Sequence, residues 1–355
     1  MAGRGKLRSL GEHRAHTKDE RGNFYIDFLN FAISANACAI VMENVPAAVS
    51  YGEKNVPDDA CKLLEKNGYH AKWTILNAAD FGVPQRRERL FLIATRKDSK
   101  MNPAFPRASH KCPKGQITQT GRMLKGLQER SDHFVLPASN MSRKHWVTVG
   151  EALSDLPALF PSSDDSYYLP KPSEAKNYSS QPENSYQKIM RGSKTLSCGH
   201  GFRKTLRDFP IFEKMSEGDD YRHAVEIAES LLSDKLSAAK INEKNDPKRY
   251  QLLRDQTVPP YRMDQFIDKW KKLSRGAISH TLPAHLGTDT YSHIHYREPR
   301  GISVREAARL QSFPDNFLFP CSMGDAFKQI GNAVPPMLAE AIANSLKGEI
   351  LKDNE

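Results

Sequence analysis

A short apolar run that ends in a polar pair constrains the fold of this chain more than any other stretch. Residues 39–46 read AIVMENVP, so four apolar residues lead directly into Glu43 and Asn44. A continuous apolar run is typical of a strand that is buried on both faces, as in a parallel sheet. The polar pair then lies either in an ordinary solvated loop or at the carboxyl end of a sheet strand, where α/β sheets bind ligands. In the second case Glu43 is half desolvated, so its pKa is expected to rise and it can donate or share a proton.

Periodic patterns surround this strand and then return near the end of the chain. Two further strands are predicted at residues 72–76 and 89–95. Ser303 and Glu306 form a capping box that starts a helix. QIGNAVPP (329–336) predicts a tight turn into a last helix. Phe24, Phe28, Phe31 and Ala32 recur at helical spacing and predict a helix that leads into the central strand. A second helix is predicted with Ala60, Leu63 and Leu64 on one face, and the last helix with a buried face formed by Leu338, Ala339, Ile342 and Leu346.

Composition narrows the class of protein and the class of partner. The chain has 355 residues and a net charge of +10, which favours a polyanionic partner, with nucleic acid first. Its five cysteines show no CxxC spacing, which argues for a reducing compartment and against a zinc site or a disulfide framework. It has no apolar run of membrane-spanning length and no signal-peptide core. We therefore expect an intracellular protein, cytoplasmic in a prokaryote or nuclear in a eukaryote, without metal or membrane.

A row of polar side chains precedes the strand predicted at residues 89–95. In QRRER (85–89), Gln85, Arg87 and Arg89 alternate onto one side of an extended chain. Such a row is either the charged rim of a hairpin or a set of donors directed at phosphates or a base carbonyl. With ENV (43–45) upstream, and REAARLQSFP (305–314) and GNAVPP (331–336) downstream, the ordered set resembles the DNA cytosine-5 methyltransferase family.

This resemblance implies a fold and a domain organisation. The fold is α/β: the C-terminal part of a Rossmann-like, S-adenosylmethionine-dependent methyltransferase sheet, with an inserted irregular target-recognition domain. Residues 1–97 are expected to form a partial catalytic domain without its first four strands. Residues 98–299 then form the target-recognition region, and residues 300–355 return to the catalytic domain. The partner is double-stranded DNA, although no motif encodes the DNA sequence that is recognised.

The resemblance also assigns roles at the target base, which the family swings out of the duplex into a pocket. Glu43 would hold ring nitrogen 3 and the exocyclic amine of cytosine, with Asn44 positioning it. Arg87 and Arg89 would bind the cytosine carbonyl and a flanking phosphate, and Gln85 would contact DNA beside them.

A second set of assignments concerns the cofactor and the nucleophile. Asn332 would contact S-adenosylmethionine. The family's Phe-Gly-Gly cofactor loop and Pro-Cys-Gln nucleophile loop have no match in this sequence, so Met1 is expected to be an internal methionine of a longer reading frame. Pro320-Cys321 falls in the wrong part of the fold to be the nucleophile, and Cys38 is expected to be a small buried hydrophobe.

We therefore expect a chain that is inactive alone, either truncated or completed by a second chain that carries the missing motifs. Two alternatives remain. One is a binding module that holds DNA or a partner subunit without chemistry. The other is an RNA-modifying relative, although the large middle region favours DNA.

Overall fold

The computed structural model describes residues 24–50, 55–113, 124, 126–138, 144–159, 176–191, 195–196, 202, 207–263, 269–286 and 291–353. These fall into two units. Unit 1 comprises the described residues within Met1–Phe81, Glu88–His145 and Leu338–Glu355, and unit 2 those within Gly82–Arg87 and Trp146–Met337.

Unit 1 is built on a three-stranded sheet. Its elements are α1 (Phe24–Ser34), β1 (Ala39–Asn44), α2 (Val56–Lys66), β2 (Tyr69–Asn77) and β3 (Glu88–Arg96), with single 3-10 turns at Pro46–Ser50 and Ala78–Phe81. Local chemistry sets the ends of α2. The Asn55 side chain accepts a hydrogen bond from the Asp58 N–H at its start. Asn67 closes it, and Gly68 follows at φ +86°, a conformation that favours glycine.

The strand order corrects the predicted parallel sheet. The order is β1-β3-β2, and β3 runs antiparallel to both neighbours, so β1 and β2 are parallel to each other with β3 between them. Only one face of β1 is covered: Ile40 and Met42 are buried, whereas Val41 and Glu43 are exposed. The prediction of a strand buried on both faces was therefore wrong. Alternating burial is what a sheet with one face on the core produces.

Unit 2 is mainly helical. Its apolar residues form two clusters, one around Val149, Leu282 and Ala307 and the other around Phe212 and Trp270. Its helices and strands are α3 (Val149–Leu153), β4 (Lys176–Asn177), α4 (Ser185–Met190), β5 (Thr195–Leu196), α5 (Phe209–Lys214), α6 (Tyr221–Ala239), α7 (Pro247–Asp255), α8 (Val304–Leu310) and α9 (Met323–Asn332).

The capping box predicted at the start of α8 is confirmed. Ser303 accepts from the Glu306 N–H, and the Glu306 carboxylate accepts from the Ser303 N–H. All seven residues of α8 are buried, including its charged ones. Arg309 forms ion pairs with Asp155 at 2.9 Å and with Asp315 at 2.5 Å, which satisfies its guanidinium in the interior.

The turn predicted around GNAVPP is shorter than expected. Residues 329–332 belong to α9, and only residues 333–335 separate it from α10 (Pro336–Asp353). The start of α10 at Pro336 is confirmed. Leu338 and Ile342 are buried as predicted, whereas Ala339 is exposed.

Two searches concern the part of the chain that the structure describes. No helix in it combines the length and the apolar character needed to cross a bilayer. No group of three His, Cys, Asp or Glu side chains in it could hold a metal ion.

Candidate active site

Glu43 and Arg89 form an ion pair in unit 1. Glu43 Oε1 lies 3.0 Å from Arg89 Nε. The carboxylate side chain is 31% exposed and the guanidinium side chain 14% exposed, so the pair lies at the boundary between core and solvent. Arg89 is therefore held largely within the protein, while the carboxylate of Glu43 can still contact a ligand.

Strand pairing explains why these distant residues meet. β1 ends where β3 begins, because the two strands are antiparallel, with Glu43 opposite Phe91 and Asn44 opposite Leu90. Arg89 lies two residues before Phe91, so it shares a face with Phe91 and is a diagonal neighbour of Glu43. The sequence predicted both residues as site members, and the structure brings them together.

The charge of each partner stabilises the other. Burial lowers the pKa of Arg89, and the carboxylate of Glu43 opposes that shift by electrostatic attraction and a hydrogen bond. A guanidinium remains charged in either case.

Asn44 shapes the chain after the strand. Its Oδ1 accepts a hydrogen bond from the Val45 N–H at 2.8 Å. This local contact stabilises the turn that leaves β1 directly after Glu43.

Gln85 is an interior residue of unit 2. Its side chain is fully buried. Its Nε2 donates to Gln311 Oε1 and to the Leu310 carbonyl, and its Oε1 accepts from the Leu282 N–H. The amide therefore links the segment of Gln85 to the segments of Leu282 and Leu310, and the structure gives its predicted DNA contact no support.

Arg87 is likewise buried in unit 2, with 1% of its surface exposed. Its guanidinium donates to the carbonyls of Leu282, Gly331 and Ala333. Arg87 and Arg89, predicted to share one side of an extended segment, belong to different units. Protein carbonyls take the hydrogen bonds that Arg87 would offer to phosphate, so the structure gives the predicted DNA contact of Arg87 no support.

Alternation along residues 85–87 instead exposes Arg86, which the sequence analysis left without a role. The sequence contained a signal for this exposure, since a residue between two inward-facing residues points outward in an extended chain. Which face of the segment 85–87 points inward depends on the hydrogen-bond partners that the fold supplies to Gln85 and Arg87.

Asn332 is exposed at the end of α9, and no described residue forms a hydrogen bond with its side chain. One exposed amide fits a single polar contact with S-adenosylmethionine. It does not by itself enclose a cofactor.

The described cysteines offer no obvious nucleophile. Cys61 is buried, and burial raises the pKa of its thiol far above the ordinary value. Cys38 is exposed, so its prediction as a buried hydrophobe was wrong: it precedes β1, outside the alternating burial of the strand. Cys321 is partly buried, with its sulfur 3.6 Å from Gln329 Nε2.

Comparison with known proteins also indicates a cytosine-specific DNA methylase. The family model described as C-5 cytosine-specific DNA methylase matches residues 9–348. A putative type II methyltransferase of Oceanobacillus iheyensis is 51% identical over 354 residues, covering 98% of this chain and 76% of the relative. A type II methyltransferase, M.AgeI, of Thalassovita gelatinovora is 31% identical, covering 93% of this chain and 78% of the relative. A solved putative DNA modification methyltransferase encoded within an E. coli prophage has a TM-score of 0.60 at 20% identity, covering 95% and 76% of the two chains, and shows the shared fold.

Proposed function

The chain belongs to the C-5 cytosine-specific DNA methylase family, and we propose that Glu43 and Arg89 form its recognition pair for the flipped-out cytosine. The observation that carries this proposal is their ion pair of 3.0 Å at the end of β1. Carboxyl and guanidinium groups side by side complement the hydrogen-bonding edge of cytosine. The type II methyltransferases among the relatives support a role in restriction-modification.

Each partner has a distinct task at the base. The guanidinium of Arg89 donates to the cytosine carbonyl, which is an acceptor. The carboxyl group of Glu43 holds ring nitrogen 3 and accepts a hydrogen bond from the exocyclic amine. A proton shared between Glu43 and ring nitrogen 3 withdraws electron density from the ring, so that carbon 6 becomes open to attack by a thiolate.

The thiolate must come from outside this sequence. None of its five cysteines lies in a Pro-Cys-Gln motif. The family uses S-adenosylmethionine as its methyl donor, and Asn332 is proposed to contribute one contact to it. We therefore propose that the chain alone transfers no methyl group and that a segment carrying the Phe-Gly-Gly and Pro-Cys-Gln loops completes the enzyme.

A role as a DNA-binding subunit without chemistry is the second candidate. It is supported by the net charge of +10 and by the absence of the nucleophile motif. An RNA-modifying role has less support, because the matched family is described as a DNA methylase.

Labelled methyl transfer to unmethylated DNA tests the proposed function. The chain alone should incorporate nothing above background, and activity should appear when it is co-expressed with a segment carrying the two missing loops. In that complex, Glu43→Gln should lower the rate at least about 100-fold because it removes the shared proton. Arg89→Lys keeps the charge but loses the planar fork, so an intermediate rate is expected.

Glu340→Gln serves as the matched control, because Glu340 is an exposed glutamate on α10. It should leave the rate unchanged. Full activity of the Glu43→Gln complex would refute the recognition pair. Incorporation by the chain alone that Cys321→Ser abolishes would mean that the wrong cysteine was dismissed.

A further inference from the structure

A cleft in unit 2 is lined by cations, and no carboxylate residue is among the described residues that line it. Its volume is about 260 Å3. Arg86 and Lys271 line it, and both residues are exposed. Neither side chain forms a hydrogen bond or ion pair with any described residue, which is unusual beside the paired arginines elsewhere in unit 2. The remaining lining residues are Gly218, Lys272, Leu273, Ser274, Ala277, Ile278, Ser279 and His280.

The backbone beneath the two cations is fixed. The Arg86 N–H donates to the Ser279 carbonyl at 2.8 Å, and the Arg86 carbonyl accepts from Thr281 Oγ1 at 2.7 Å. The Lys271 N–H donates to the Tyr291 carbonyl, and its own carbonyl accepts from the Ile294 N–H. Both side chains therefore project from anchored backbone positions, so no backbone ordering is needed at these two residues when a ligand binds.

The lining of the cleft offers one further donor. Ser274 lines it, and its hydroxyl has no hydrogen-bond partner among the described residues. Lys272 is already committed, since its Nζ donates to the Phe212 and Met215 carbonyls. The adjacent Glu217 accepts from the Arg275 N–H and is not part of the lining.

His280 adds a neutral wall to the cleft. Burial and, to a smaller extent, the nearby ammonium of Lys271 lower the pKa of His280 to about 4. The imidazole is therefore uncharged near neutral pH, and the positive potential of the cleft comes from Arg86 and Lys271.

We propose that the Arg86–Lys271 cleft binds a backbone phosphate of the duplex DNA substrate. Two unpaired cations, a free hydroxyl and a concave site without carboxylates match the chemistry of a phosphodiester. Such a contact carries no sequence information and fixes the register of the chain on the duplex. This inference rests on the proposed function, because it takes DNA as the substrate, and it moves the phosphate contact of residues 85–89 from Arg87 to Arg86.

Titration of a labelled duplex over a series of salt concentrations tests the cleft. Arg86→Gln and Lys271→Gln should each weaken binding roughly fivefold and lower the slope of log affinity against log salt by about 0.9. Arg86→Lys keeps the charge and should retain most of the slope. Lys188→Gln is the matched control, because Lys188 is an exposed lysine of unit 2 on α4, outside the cleft, and should leave the slope unchanged.

The double variant Arg86→Gln/Lys271→Gln should lose less than the sum of the two single losses, since both side chains are expected to contact one phosphate. Thermal melting and sedimentation of every variant exclude misfolding and altered association. A wild-type chain that binds in a salt-dependent way while both Gln variants keep its slope would overturn the cleft alone. A wild-type chain that binds no duplex would overturn the cleft and the DNA-binding function together.

Discussion

At the residue scale, the neighbouring arginines 86 and 87 show how one step along the chain separates two functions. Arg87 is buried and donates to three backbone carbonyls, whereas the exposed side chain of Arg86 has no hydrogen bond or ion pair with a described residue. A sequence pattern treats them as one basic cluster. Their surroundings make one a structural residue and leave the other available to a ligand.

This difference predicts opposite results for the same substitution. Arg87→Met should destabilise the protein by on the order of 3–5 kcal/mol, because it leaves buried carbonyls without donors. Arg86→Met should change stability by less than about 0.5 kcal/mol, as is usual for an exposed site. Chemical denaturation followed by circular dichroism measures both. An Arg87→Met protein that is as stable as wild type but binds DNA weakly would restore the role first predicted for Arg87.

A pair of histidines gives unit 2 a pH-dependent stability. The rings of His280 and His293 stack with their centroids 3.8 Å apart. Burial lowers the pKa of His280 to about 4, and it lowers the pKa of His293 well below the ordinary value of 6.5. Between pH 6.5 and about 4, the unfolded chain therefore binds protons that the folded chain does not bind.

Stability should accordingly be highest above pH 6.5 and should fall as pH drops through this window. The expected slope approaches 1.4 kcal/mol per pH unit for each histidine. Denaturation at pH 7.5, 6 and 5 measures it, and His280→Gln should flatten the dependence. The exposed His70 provides the control, since His70→Gln should leave the slope as it is. An unchanged slope in His280→Gln would contradict the assignment.

At the element scale, the packing of α9 depends on one glycine. A Cβ built on Gly331 would lie 2.6 Å from the Ala284 Cα and N and from the Pro283 carbonyl carbon. These are backbone atoms, so they cannot rotate away as a side chain would. The close approach also puts the Gly331 carbonyl 2.7 Å from the Arg87 guanidinium.

Two glycine substitutions test this contact. Gly331→Ala should separate α9 from the segment containing Ala284 and should lower stability by at least about 2 kcal/mol. Gly348→Ala, on α10, meets nothing within 4 Å and should be neutral or stabilising by up to about 1 kcal/mol. Thermal melts of the two variants decide the matter. Equal melting temperatures of the two variants would mean that the close packing of α9 on Ala284 does not require glycine at position 331.

At the scale of the whole molecule, unit 1 presents an apolar helix face and an open strand edge. Phe24, Phe28 and Phe31 follow one face of α1 and are 61%, 42% and 74% exposed. Among the described residues, β1 pairs with β3 on one edge and with no strand on the other. An exposed apolar face and an unpaired strand edge both favour association with another polypeptide.

The isolated chain is therefore expected to self-associate. Sedimentation should detect oligomers or aggregates, and Phe24→Glu/Phe31→Glu should reduce them. Leu252→Glu is the control, because Leu252 is an exposed apolar residue on α7, in unit 2, at 54% exposure. Co-expression with a segment that carries the two missing family loops should yield a soluble complex. A monodisperse monomer with a cooperative melt would contradict this account of unit 1.

The sequence alone determined the features that depend on neighbours along the chain. The Ser303–Glu306 capping box, the stop of α2 at Asn67-Gly68 and the start of α10 at Pro336 are fixed by local hydrogen bonds and backbone preferences. The ordered motifs also identified the family. Each of these signals is contained within a few residues, so no knowledge of the rest of the fold was needed.

Only the tertiary structure decided which way the motif side chains point. Glu43 meets Arg89 because β3 runs antiparallel to β1, a pairing that the apolar run of β1 does not encode. Arg87 turns inward because carbonyls from Gly331 and Ala333, far along the chain, supply acceptors that compensate for its burial. The two-residue period of a strand predicts that alternate side chains point to opposite faces. Which face is the interior depends on the partners that the fold brings to each face.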